Sequence, residues 1–222
     1  MVKCIKDYIK NRNIVVGCTN NCAYCYARIN NQRFREIPDF SKPVFFESKM
    51  KMLDKKTPGN YLLTGMSDLA DWKPEWKEAV LQKVHENPQN VYIFLTKSPE
   101  RLDIHIEAEN AWFGVTVTCK ADIKRIEELK KNVHGGHLII TFEPIFEDLG
   151  DLNLDGIEWI VIGTETGKRK GKIDTKPEWA FNLAKQAQKR SIPIFMKEDL
   201  YGILSEEEMI QEFPKEFARI EG

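Results

Sequence analysis

The sequence predicts a parallel α/β fold, because short apolar runs alternate with longer helix-patterned segments along the chain. The runs are rich in β-branched and aromatic residues with little alternation, which suits strands buried on both faces. Several end in polar residues, and in parallel α/β folds the carboxyl ends of all strands lie on one side, where ligands bind.

In chain order, Ile-Val-Val at 14–16 predicts the first strand and the polar-apolar segment 23–34 the first helix. Residues 61–64 form the second strand, followed by a helix over 74–86 that opens on Pro74. The run 91–95 is the third strand, and the segment 99–106, opening on Pro99, the next helix. A fourth strand over 112–117 precedes a helix over 121–132, and a fifth occupies 137–142. The sixth strand, 159–162, leads to a helix over 177–189 and a last strand over 192–196. Proline at the start of three of these helices matches its preference for the first helical turn. A doubly wound sheet and a partial barrel both fit this order.

The chain of 222 residues carries 42% hydrophobic and 30% charged residues, as in an ordinary globular protein able to bury its own core. No linker, repeat or low-complexity tract interrupts it, so a single domain over 1–222 is expected. No stretch is apolar enough to span a bilayer, and the N-terminus lacks the pattern of a signal peptide. No membrane partner is expected, and the expected compartment is the cytoplasm. A net charge of -1 excludes a global attraction to nucleic acid while leaving room for a local basic face.

Five cysteines in a reducing compartment read as ligands or reactive thiols rather than disulfides. Cys18, Cys22 and Cys25 have the spacing C-x3-C-x2-C directly after the first strand. Three thiolates on one loop can bind three irons of a cubane cluster and leave the fourth iron open for chemistry. Zinc is the rival, but it needs a fourth ligand, and His85, His105, His134 and His137 all lie far along the chain.

This cysteine loop, with an aromatic residue just before its last cysteine, resembles the signature of radical S-adenosylmethionine (SAM) enzymes. A longer series runs GCTNNCAYCYAR, MSDL, LTKSPERL, GVTV, FEP, IVIGTETG and IFMK. It is similar to the phage-protein-like and mobile-pair radical SAM families carried on mobile elements, and LTKSP resembles spore photoproduct lyases, DNA-repair members of the superfamily. The sequence departs from these upstream, where Asn13-Ile-Val-Val-Gly17 replaces a tryptophan-containing lead-in. The resemblance implies a partial (β/α)6 TIM-like barrel with outer helices. It also implies a 4Fe-4S cluster on the three cysteines, SAM chelated by the open iron, and an external one-electron reductant such as flavodoxin or ferredoxin. Reduction would cleave SAM to a 5'-deoxyadenosyl radical that abstracts hydrogen from a substrate, with nucleic acid or protein expected over a small molecule. A non-catalytic iron-sulfur or zinc module that recognises a partner is the alternative.

Under that resemblance Tyr24 lies near adenine, and the turn Gly65-Met66-Ser67-Asp68 meets the SAM amino group, with helix capping the other use of Asp68. Lys97, at a strand end, can pair with the SAM carboxylate. Thr116 and Thr118 share one face of a strand and can reach the ribose. Glu143 and Glu165 can bond ribose hydroxyls or orient substrate, Gly163 and Gly167 allowing a ligand close to the backbone. Lys197 is either catalytic or a buried ion pair that closes the barrel. Cys119 is either a hydrogen donor to a substrate radical or a buried small hydrophobe. Cys4 has no companion and reads as structural, Trp72 and Trp76 as packing, and the basic stretch 168–172 as a solvated loop or a phosphate grip.

Overall fold

The computed structural model describes residues 2–217. Its first elements are α1 (Ile5–Tyr8), β1 (Ile9–Asn11), β2 (Val15–Val16), α2 (Tyr26–Phe34), β3 (Val44–Phe45), β4 (Asn60–Leu62), α3 (Pro74–Glu86) and β5 (Val91–Thr96). There follow β6 (Ile104–His105), β7 (Ala111–Thr116), α4 (Lys124–Asn132), β8 (Val133–His134), β9 (His137–Phe142), β10 (Trp159–Ile162), α5 (Pro177–Gln188) and β11 (Ile194–Met196). Seven strands form one parallel sheet in the order β1-β4-β5-β7-β9-β10-β11, curled into a half-barrel flanked by helices. The partial barrel expected from the resemblance is thus the observed fold, with seven strands rather than six.

Two elements differ from the sequence reading. The first strand of the sheet is Ile9–Asn11, paired with Asn60–Leu62, whereas Val15–Val16 pairs antiparallel with Val44–Phe45 outside it. β1 escapes detection because it buries only Ile9 and then runs into Lys10 and Asn11. The segment 99–106 is not a helix: Pro99–Arg101 make a single 3-10 turn, and Ile104–His105 pair with Val133–His134. So short a segment gains few helical hydrogen bonds, and the buried β-branched Ile104 does better in a strand pair.

Alternation along the strands separates two cores. Tyr92, Phe94, Phe113, Ile140, Ile160, Ile162, Ile194 and Met196 pack with helix residues such as Val80, Val84, Ile126, Leu129, Leu183 and Ala187. The opposite, concave face carries Val91, Ile93, Trp112, Ile139, Trp159, Val161 and Phe195. The C-terminal segment closes the amino end of this trough. Phe213 packs on Tyr8, Trp159 and Phe195, Phe217 stands edge-on to Trp112 and Trp159, and the Trp159 indole donates to the Glu212 carbonyl (3.1 Å). Continued toward the carboxyl ends, the same concave register leads to Thr116 on β7 and Thr141 on β9 and, just past the strands, to Lys97, Glu143, Gly163 and Lys197. An apolar floor therefore gives way to a polar mouth.

Candidate functional site

The cysteine loop is fastened to that mouth by its backbone. Gly17 forms a parallel bridge with Ser67 and donates to Met66 O (2.9 Å), and Cys18 N donates to Phe40 O (2.7 Å). Gly17 has φ +114°, and a β-carbon there would lie 2.8 Å from the backbone of Pro43, so both the turn and the close approach require glycine. Asn21 takes the left-handed conformation at φ 47°, which asparagine tolerates better than most residues. Cys25 is the N-cap of α2, its sulfur accepting from Arg28 N at 3.4 Å.

Side chains complete the fastening. Thr19 donates from N and Oγ1 to Asp71 at 2.7 and 2.8 Å, and Arg101 reaches the same carboxylate at 2.9 Å. The Asp71 side chain is 1% exposed, so this carboxylate serves the loop rather than solvent. Asn20 N and Nδ2 both lie 3.5 Å from Cys18 Sγ, and Nδ2 also donates to Asp68 Oδ2 at 2.7 Å. Burial pushes the Cys18 thiol up to about 12, the Asn20 donors opposing the shift.

Asp68 joins three segments. It caps the 3-10 turn Leu69–Asp71 through Ala70 N (2.9 Å) and also accepts from Thr96 Oγ1 (2.5 Å), Lys97 N (2.8 Å) and Asn20 Nδ2. A carboxylate has about four acceptor positions, and these four donors occupy them, which is the capping use rather than an open acceptor for an ammonium group. Burial still pushes its carboxyl above the ordinary aspartate value, against the pull of these donors.

Around the loop the strand ends gather several of the candidate residues. Lys97 Nζ lies 5.7 Å from the centre of the Tyr24 ring, whose other edge meets Phe146 at 5.3 Å. Burial raises the Tyr24 phenol, and the neighbouring Cys22 pushes it the same way. Thr118 donates to Asp122 (2.8 Å), while Thr116 Oγ1 accepts from Thr141 (3.0 Å). The carbonyl of Gly65 accepts from the Tyr26 hydroxyl at 2.5 Å, and Ser67 Oγ accepts from Trp72 Nε1 at 2.9 Å. Trp72 is buried and Trp76 stacks on Phe45, so both pack as expected.

On the other side of the mouth Lys197 pairs with Glu143 and with Asp199, the latter at 3.3 Å. Burial works against its charge, yet the two carboxylates hold the ammonium above the ordinary lysine range. A β-carbon on Gly163 would come within 3.1 Å of Lys197 Cδ and 3.2 Å of Asp199 Oδ1. Gly163 therefore makes room for this ion cluster, not for a ligand at the backbone. Glu165 accepts two bonds from Arg169, at 2.6 and 2.8 Å, which hold its carboxyl below the ordinary glutamate value against burial. Arg169 is thereby committed to the protein, and the basic loop keeps only its lysines free for a phosphate.

Cys119 is half-buried on the loop after β7, and its sulfur makes no hydrogen bond among the described residues. Cys4 donates to Glu198 at 2.9 Å. Among the described residues no group of three or more His, Cys, Asp or Glu side chains is gathered tightly enough to hold a metal ion. No helix among these residues is long and apolar enough to cross a membrane. Sequence reasoning missed Asn20, Tyr26, Asp71 and Asp199; of these only Asp199, two residues past Lys197, follows a strand end already singled out.

A family model described as "Protein of unknown function (DUF5131)" matches residues 7–220. The chain belongs to this family. No curated protein matches this DUF5131 member. Among solved structures it is weakly similar to a mutant spore photoproduct lyase with dinucleoside spore photoproduct, at 10% identity and a TM-score of 0.47. That likeness covers 81% of this chain but only 60% of the lyase chain, so the chain spans less than two thirds of that structure.

Proposed function

We propose that this protein is a cytoplasmic radical SAM enzyme in which Cys18, Cys22 and Cys25 hold a 4Fe-4S cluster. The reading is carried by one observation: the C-x3-C-x2-C loop lies over the carboxyl ends of β4 and β5 in a parallel half-barrel. The donor chemistry fits, since the loop offers three free thiols and amide donors already lie near two of the sulfurs. When bound, the cluster supplies the electron that splits SAM into methionine and a 5'-deoxyadenosyl radical.

The chain's own residues would position the reactants. Lys97 pairs with the methionine carboxylate of SAM, and Tyr24, held between Lys97 and Phe146, flanks the adenine. Glu143, tethered to Lys197, faces the substrate side of the mouth. The substrate class in this reading is a macromolecule, nucleic acid or protein. The deciding assay is anaerobic reconstitution, one-electron reduction in the presence of SAM, and chromatography for 5'-deoxyadenosine. Stoichiometric zinc without iron-dependent absorbance, or a loaded protein that leaves SAM intact, overturns the proposal.

Lys97 gives a narrower expectation. A charge-assisted pair is worth roughly 1.5 to 3 kcal/mol, or about a tenfold to hundredfold change in affinity. Lys97→Ala should therefore weaken SAM binding by that factor while iron content stays unchanged. Equal affinity in a cluster-replete variant removes Lys97 from the site.

A further inference from the structure

The helix that starts at Cys25 is unusually bare. α2 spans nine residues and buries only Ala27 and Asn31. Ala27 packs with Val16, Ile37, Phe40 and Met66, and the Asn31 amide grips the backbone of Ile37 through bonds of 2.9 and 3.0 Å. Its remaining surface carries Tyr26, Ile29 and Phe34, exposed by 52%, 61% and 68%. These are three of the six large hydrophobics that stand exposed among the described residues. Scattered apolar residues need no explanation, but half of them fall on this one short helix.

The charge along this helix and the loop before it has one sign. From Gly17 to Arg35 the sequence holds Arg28, Arg33 and Arg35 and no acidic residue. Among the described residues neither Arg33 nor Arg35 makes an ion pair, and the Arg33 guanidinium lies 5.1 Å from the centre of the Phe34 ring. Beside the helix runs a shallow cleft of about 540 Å³ lined by Arg28, Gln32, Arg35, Pro38 and Asp39 among others, with Asp39 paired to Lys42 at 3.5 Å. Exposed apolar residues interspersed with arginines that make no ion pair among the described residues suit an acidic protein partner, the charges steering the encounter and the apolar residues slowing release.

We infer that α2 is the docking surface for an acidic one-electron carrier protein; this rests on the proposed cluster. A helix rises 1.5 Å per residue, so Ile29 lies about 6 Å and Phe34 about 14 Å along the axis from Cys25. A carrier seated on Ile29 and Phe34 therefore sits beside the loop that leads into the helix. The step is a single electron transfer: the carrier is oxidised by one electron, the cluster is reduced by one, and no bond or proton is exchanged.

The test uses the cluster-loaded protein and a reduced flavodoxin of acidic surface as probe. Binding is followed by calorimetry, and cluster bleaching by stopped flow, with dithionite as a small reductant that needs no docking surface. Arg33→Glu with Arg35→Glu should raise Kd and slow bleaching by flavodoxin at least about tenfold at low salt, with the difference shrinking as salt rises. Ile29→Ser with Phe34→Ser should weaken binding at all salt concentrations. Bleaching by dithionite should be unchanged in both, because these side chains are exposed and lie outside the cysteine loop. Flavodoxin binding and kinetics like wild type in both variants overturn the inference. So does a face that instead captures a single-stranded oligonucleotide or a second copy of this chain, with carrier binding unaffected by the substitutions. A protein whose iron never bleaches, even with dithionite, sinks the cluster reading and this inference together, whereas dithionite bleaching with indifferent α2 variants sinks only the latter.

Discussion

Replacing Cys18, Cys22 or Cys25 singly by alanine should abolish the brown colour and iron-dependent absorbance of anaerobically reconstituted protein, with iron falling from about four atoms per chain to below one. The effect is expected to be all-or-none, because a cubane with one open iron has no spare protein ligand to lose. Cys25 needs a control, since its sulfur also caps α2 by accepting from Arg28 N. Cys25→Ser keeps an oxygen acceptor at a position where serine is a favoured cap. It should preserve the helix and still lose the cluster, separating loss of a ligand from local unfolding. Cys4→Ala and Cys119→Ala should leave iron content intact, because Cys4 is hydrogen-bonded to Glu198 and Cys119 lies on a different loop. Full iron incorporation in any single variant of the three would remove that residue from the ligand set.

The strands were legible where they are buried on both faces. The runs 137–142 and 159–162 coincide with β9 and β10, since each is nearly uninterrupted in apolar character. β1 was not legible, because a strand at the edge of the sheet needs only one buried side chain to hold its place, and Ile9 is that one. The 99–106 segment misled because Pro99 signals a helix start with equal force whether one turn follows or three. At the candidate site, chemistry concentrated in eight residues, as in Cys18 to Cys25, is readable without a structure. Asp71 is not readable, because its partner Thr19 is 52 positions away and nothing local marks the aspartate as buried. Gly163 carries a similar lesson: its lack of a side chain was visible, but whether a ligand or the Lys197 cluster fills the space is decided by neighbouring strands.

Asp68→Ala should lower the thermal midpoint by roughly 6 to 12 °C and loosen the cysteine loop. The carboxylate receives Ala70 N, Thr96 Oγ1, Lys97 N and Asn20 Nδ2, which come from its own turn, the end of β5 and the cysteine loop. Removing it leaves these donors without their acceptor in a site that is only 4% exposed at Asp68. An unsatisfied buried group costs about 1 to 3 kcal/mol, and solvent entering the gap recovers part of the combined loss, so about 3 kcal/mol in total is expected. In a chain of this size each kcal/mol moves the midpoint by about 2 to 4 °C. Asp68→Asn keeps the shape but turns an amide N–H toward donors, so it should fall between wild type and alanine. Hydrogen exchange at Thr19 and Asn20 should quicken in both variants, while amides of β9 and β10 keep their protection. An aspartate whose main task was to accept the SAM ammonium would behave in the opposite way, losing SAM affinity with an unchanged midpoint. A midpoint within about 1 °C of wild type would show that Asp68 does not join these segments energetically.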